Sequence, residues 1–282
     1  MTLLTLLALA ISLSQAPTRP GSSPQAASPD PDMPRPIAAR DTVFIEEMTW
    51  LEVRDAMRAG KTTAIVATGG VEMNGPYLAA GKHNYILRAT TEAIARTLGN
   101  ALVAPIVGFV PEGDIDPPSG QMRYPSTISV TGPTFEALLT DIASSLKSHG
   151  FEHIILIGDS GGNQAGMKAV AEKLSANWAG AKTTIHFIPE YYDYPGVSAW
   201  VERQGIKEED EGHHDDYGIT VQMMLVDPEL VRMEERVAAG RFSINGVPLA
   251  PLDRTLATAR RLVDWRAAVT VEAIQRTLGR QR

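Results

Sequence analysis

Three short, nearly uncharged runs each stop at glycine or proline, and each is followed by a stretch with apolar residues at helical spacing. Thr62 to Ala67 ends at Gly69-Gly70, and Ala101 to Val107 runs into a Pro/Gly-rich loop from Pro111 to Pro125. Phe151 to Ile157, polar only at Glu152 and His153, ends at Gly158-Asp159-Ser160-Gly161-Gly162-Asn163. Continuous apolar runs of this length are strands buried on both faces, which is the mark of parallel sheets covered by helices.

The intervening helices follow from periodicity. Asn84 is placed to cap a helix with Leu87, Thr91, Ile94 and Leu98 on one face and Gly99 at its stop. Thr134 opens another with Phe135, Leu138, Leu139, Ile142 and Leu146, closed by Gly150. A helix to about Trp178 and a strand near Thr184 to Ile188 continue the alternation, so an α/β fold with a largely parallel sheet is expected. Ligands of such sheets bind beyond the carboxyl ends of the strands, where Glu72 and Asp159 both fall.

The ends of the chain read differently. Leu3 to Leu13 is too short to span a bilayer but suits a secretory signal, with Ser14-Gln15-Ala16 as a cleavage site. Residues 17–36 hold seven prolines among Ser, Ala, Gly and Asp. Such a segment has too little apolar surface to offset its ordering entropy. The expected organisation is a signal over 1–16, a Pro-rich tether over 17–40 and one domain over 41–282, exported to the periplasm or the medium.

Of the 282 residues none is Cys, which excludes a disulfide scaffold, a cysteine nucleophile and an iron–sulfur cluster. A net charge of −7 argues against nucleic acid as a partner, and no membrane span is expected.

Glu72 and His83 flank a Gly/Pro turn that can fold both side chains to one point, and Asp159 ends a strand. Glu, His and Asp suit Zn²⁺, with Mn²⁺ or Fe²⁺ as alternatives, and three protein ligands leave a position for water. A solvated loop is the plainer reading of that spacing. Glu211-Gly212-His213-His214-Asp215-Asp216 reads equally as a charged helix start or as a proton-transfer or metal site. His149, His153 and His186 fall in helix-end and strand contexts and read as structural. Gly158 to Asn163 lacks the Lys of a P-loop and the order G-x-S-x-G, which leaves a serine nucleophile little support.

Ordered motifs then point to a family. Thr49-Trp50 through Leu78, Tyr124-Pro125-Ser126-Thr127-Ile128, Ser144-Ser145-Leu146, His149-Gly150-Phe151, Gly161-Gly162-Asn163 and Asp227-Pro228-Glu229-Leu230-Val231 resemble the creatininase family, in the same order, over Met48 to Met233. The resemblance implies a three-layer α/β/α fold, a homo-oligomer, and a divalent-metal site that activates water to open an amide or cyclic amide of a small molecule.

The family's Glu-x-His-Gly-x-His-Leu falls on Glu72, with Asn74 and Tyr77 in place of the histidines and His83 at the downstream Asp position. Its Asn-Gly-His-Gly-Gly-Asn falls on Gly158 to Asn163, putting Ser160 where a ligand His is expected. Its late His aligns with His214, with Asp215 and Asp216 behind it. From the resemblance, Glu72, His83 and Asp159 are expected to hold one metal and His214, or His213, to move protons. Asn74, Tyr124, Ser160, Asn163 and Asp215 are the candidate substrate contacts. A lactonase or sugar-ring hydrolase, or a metal-free small-molecule-binding protein on the same fold, are the alternatives.

Overall fold

The structure, a computed structural model, describes residues 28–279. The signal and the first part of the tether lie outside them. Among the described residues, the fold is held by the unit that begins at Ile37. In chain order it contains α1 (Trp50–Arg58), β1 (Thr63–Thr68), α2 (Lys82–Leu98), β2 (Ala101–Val103), α3 (Gly132–Ser148), β3 (His153–Gly158) and α4 (Gln164–Asn177). There follow β4 (Thr184–Phe187), α5 (Tyr194–Arg203), α6 (Tyr217–Val226), α7 (Met233–Ala238), the hairpin β5 (Ser243–Ile244) and β6 (Val247–Pro248), and α8 (Leu252–Gly279).

The four-stranded sheet is parallel in the order β2-β1-β3-β4, with Thr68 opposite Gly158. Period-two alternation sorts its side chains into two layers. Ile65, Ala67, Ile155 and Ile157 meet Leu87 and Ile94 of α2 and Ala267, Val271 and Ile274 of α8. On the other face Val66, Ile154 and Leu156 meet Phe135 and Leu139 of α3 and Met167, Val170 and Leu174 of α4. This is the expected three-layer α/β/α arrangement. The chain leaves β1 towards β2 and returns to β3 on the far side of β1, so a crevice opens between the carboxyl ends of β1 and β3.

Two caps differ from the sequence reading. α2 is capped at Gly81, three residues before Asn84 and so less than one turn earlier than a cap at Asn84 would give, and the Asn84 side chain accepts the Gly70 N–H at 3.1 Å instead. α3 is capped by Thr131, whose hydroxyl accepts the Thr134 N–H, and Pro133 fits the first turn. The stop at Gly99 is as expected, in the left-handed conformation at φ 76°. The second strand is shorter than expected, closing at Val103.

Candidate active site

A cleft of about 510 Å³ opens at the crevice between β1 and β3. Its walls come from the loop after β1 (Glu72), the start of α2 (Lys82, His83), the loop after β2 (Glu112), the turn after β3 (Ser160) and the segment before α6 (His213 to Asp216).

Three donors converge on one oxygen. Glu72 Oε1 lies 2.7 Å from His83 Nε2, 3.0 Å from Lys82 Nζ and 3.1 Å from His214 Nε2. Burial alone would raise the Glu72 carboxyl, but the bonds from His214 and His83 and the Lys82 charge hold it well below the ordinary range. His83 faces a second carboxylate through its other nitrogen, with Nδ1 at 2.8 Å from Asp159 Oδ2. Burial works to lower the His83 pKa, and the bonds to Asp159 and Glu72 outweigh it, leaving it raised. Both ring nitrogens face acceptors, so both carry protons and His83 is an imidazolium.

Asp159 is fully buried, and burial opposes its charge, yet Arg266 of α8 and His83 lower its pKa. Arg266 donates from Nη2 to Asp159 Oδ1 at 2.8 Å and from Nη1 to Gln222 at 3.1 Å, and its guanidinium stands 4.4 Å from the Tyr191 ring centre. Tyr194 donates its hydroxyl to Asp159 Oδ2 at 3.0 Å. The result is a chain of contacts from half-exposed His214 at the cleft wall through Glu72, His83 and Asp159 to buried Arg266.

Glu112 stands apart from that chain on the same wall. Burial first, and the Glu72 charge second, push its carboxyl up to about 7. Its Oε2 accepts the Ser160 hydroxyl at 3.1 Å, while Oε1 is buried with no hydrogen-bond partner. Gly70 makes room for it, since a Cβ there would sit 1.9 Å from Oε1. A carboxyl that titrates near neutrality in a cleft is suited to proton transfer.

Glu72, His83 and Asp159 therefore meet, as do His213, His214, Ser160 and Asp215, which all line the cleft. The expected convergence on one cation is not what they form. The imidazole lies between the two carboxylates, so the three donors stand in series, and a doubly protonated ring has no lone pair for a metal. Among the described residues no group of three or more His, Cys, Asp or Glu is arranged to hold a metal ion. The residues as arranged do not fit the family's divalent ion.

Three expected substrate contacts are elsewhere. Asn163 is fully buried and spends its amide on the Thr68 and Gly69 carbonyls, tying β1 to the start of α4. Asn74 donates to the Glu72 and Ala79 carbonyls and braces the loop, and neither it nor half-exposed Tyr124 is part of the cleft lining. His149 ends α3, and His153 and His186 both bond Thr184, away from the cleft, as their structural reading requires.

Sequence reasoning missed Lys82, Glu112, Tyr194 and Arg266. Arg266 had a signal, because it interrupts the apolar stripe of Leu262, Val263, Ala267 and Val271 on α8, where a buried cation needs a partner. Lys82 adjoins His83 in a helix first turn that holds no acidic residue. Nothing local marked Glu112.

Comparison with known proteins came out consistently. The profile of the family described as "Creatininase: Creatinine amidohydrolase" matches residues 46–267. A creatinine amidohydrolase of Pseudomonas putida is 26% identical over 116 residues, which are 41% of this chain and 44% of that relative. A solved creatinine amidohydrolase (creatininase) superposes with a TM-score of 0.59 at 21% identity, covering 86% of this chain and 98% of the other. A creatininase in a Mn form gives 0.58 at 21% identity, covering 85% and 98%. Solved creatininases of similar likeness include a Zn–Zn form and one complexed with creatine.

Proposed function

Since the chain belongs to the creatininase family, whose profile covers residues 46–267, we propose that it is a hydrolase of that family opening a carbon–nitrogen bond, in an amide or cyclic amide, of a small molecule. The observation that carries this reading is the cleft at the switch point of the sheet, lined by His214 and Glu112 from two different loops. Creatine and creatinine appear in the names of relatives and supply the first compounds to try, not the substrate itself.

The chain's own residues suit acid–base chemistry. Glu112, near neutrality half protonated, takes a proton from the attacking water. His214, steadied by Glu72, gives one to the leaving nitrogen, and the buried His83, Asp159 and Arg266 keep Glu72 in place. Solved creatininases include Zn–Zn and Mn forms, but among the described residues of this chain no group fits such an ion.

The test is a panel of creatinine, other cyclic amides, linear amides and lactones, followed by ring opening or release of ammonia or amine. Turnover of a C–N substrate is expected, and His214→Ala should lower it by about 10² to 10⁴, the usual worth of positioned proton transfer. Turnover of lactones alone would move the bond to C–O, and tight binding without turnover would make the chain a binding protein. Export and homo-oligomerisation belong to the same proposal. Sequencing the mature N-terminus from the native host, expected after Ala16 or within the tether, and light scattering of the purified chain check them.

A further inference from the structure

Solved relatives include Zn–Zn and Mn forms, whereas this cleft carries a buried lysine amino group beside the carboxylate and the histidines. We propose that the Lys82 ammonium takes the charge role of the family's metal, so that the site works without a metal ion. The role of that charge in catalysis rests on the hydrolase reading above, but whether a metal binds does not.

Three observations carry the inference. Lys82 Nζ lies 3.0 Å from Glu72 Oε1, an oxygen that already receives two imidazole nitrogens, and its side chain is only 2% exposed. A metal bound by Glu72 and either His Nε2 would need distances of about 2.0 to 2.2 Å from those atoms, in space the ammonium shares.

The placement of Lys82 is also costly for mere structure. It opens α2, where the helix dipole disfavours a cation, and it is buried, where an ammonium loses its hydration. No acidic residue of the first turn offsets this, and Glu72 is its ion-pair partner. A lysine held in such a position, lining the cleft, is best explained by a need for fixed positive charge there.

Charge counting agrees. The buried carboxylates Glu72 and Asp159 already face Lys82 and Arg266, one permanent cation each. With the His83 imidazolium between them, three cations already face these two carboxylates, so a divalent ion would add its charge to a buried group that is positive before it arrives, which is strongly unfavourable. From the cleft lining, the Lys82 ammonium would supply to a bound carbonyl oxygen the electrophilic part that a metal plays elsewhere.

The full chain is purified without chelator, incubated with Zn²⁺ or Mn²⁺, desalted and measured by elemental analysis, alongside its melting temperature with and without each ion. Metal far below one ion per chain and an unchanged melting temperature are expected. Close to one ion per chain, with a melting temperature that rises on loading, overturns the proposal, since an ion that binds the native state must stabilise it. Lys82→Met, checked for native circular dichroism, should gain Co²⁺ binding visible in its absorption spectrum, because the Glu72 carboxylate and the His214 Nε2 beside it are then uncovered. A folded K82M that binds no Co²⁺ refutes the exchange of ammonium for metal. If K82M does not fold, the wild-type measurement alone decides. Neither readout uses a substrate, so failure to find turnover and failure of this proposal remain separate results.

Discussion

Replacing Glu112 by glutamine tests the electrostatics of the cleft in a way that separates them from packing. Burial, then the neighbouring Glu72 charge, raise the Glu112 carboxyl from 4.5 to about 7. A group whose folded pKa is raised contributes stability that is fully present below its unfolded pKa and is lost as pH rises through the folded pKa. Here the loss falls between pH 4.5 and about 7. At about 1.4 kcal/mol per tenfold change in proton affinity, the full effect is about 3 kcal/mol. Solvent on the cleft side screens part of it, so about 2 kcal/mol is expected. Glutamine cannot ionise, and it keeps an oxygen for the Ser160 hydroxyl. Wild type and Glu112→Gln should therefore melt together near pH 4.5. Above pH 7 the variant should be the more stable, by about 4 to 8 °C for a domain of this size. Differential scanning calorimetry from pH 4.5 to 8.5 gives the curve. An offset that is the same at both ends, or a wild type that is more stable at pH 8.5, would refute the argument that the folded site holds this carboxyl neutral.

Other substitutions probe the rest of the network. Asp159→Asn leaves the Arg266 guanidinium buried against an uncharged partner and should cost about 3 to 5 kcal/mol in urea unfolding; a loss below about 1 kcal/mol would mean that the pair is relaxed or hydrated. Gly162→Ala puts a Cβ 2.1 Å from the Pro111 carbonyl oxygen, a backbone atom beside Glu112, so the loop must shift. Turnover should fall together with about 1 to 3 kcal/mol of stability. Unchanged kinetics in that variant would show that the position of the Glu112 loop does not matter to the reaction.

Much of the architecture was written in local pattern. The strands β1 and β3 are legible because a buried parallel strand must be apolar on both faces, and their ends are legible because Gly69-Gly70 and Gly158-Asp159 break the run. Gly99 marks the end of α2 because few other residues adopt a left-handed backbone without strain. Helix starts were less legible. Asn84 is a good cap by composition, but the Gly70 N–H, fourteen residues earlier and just past the end of β1, competes for its side chain, and no local rule foresees that.

The site divides along the same line. Glu72, His83, Asp159 and His214 could be named in advance, since each stands in a motif and their residue types suit proton or metal chemistry. What they do together was decided by contacts between residues far apart in the chain: His83 with Asp159 across 76 positions, Glu72 with His214 across 142, and Asp159 with Arg266 across 107. The residue types allow a metal triad or a charged relay equally well. Only the placement of the imidazole between two carboxylates, with Lys82 on one and Arg266 on the other, selects the relay. Local sequence determines which backbone a segment favours, because the energies involved are set within a few residues. Which charge faces which is set by the packing of α2, α8 and the strand ends, and in a buried site that pairing determines both protonation and the ions it can accept.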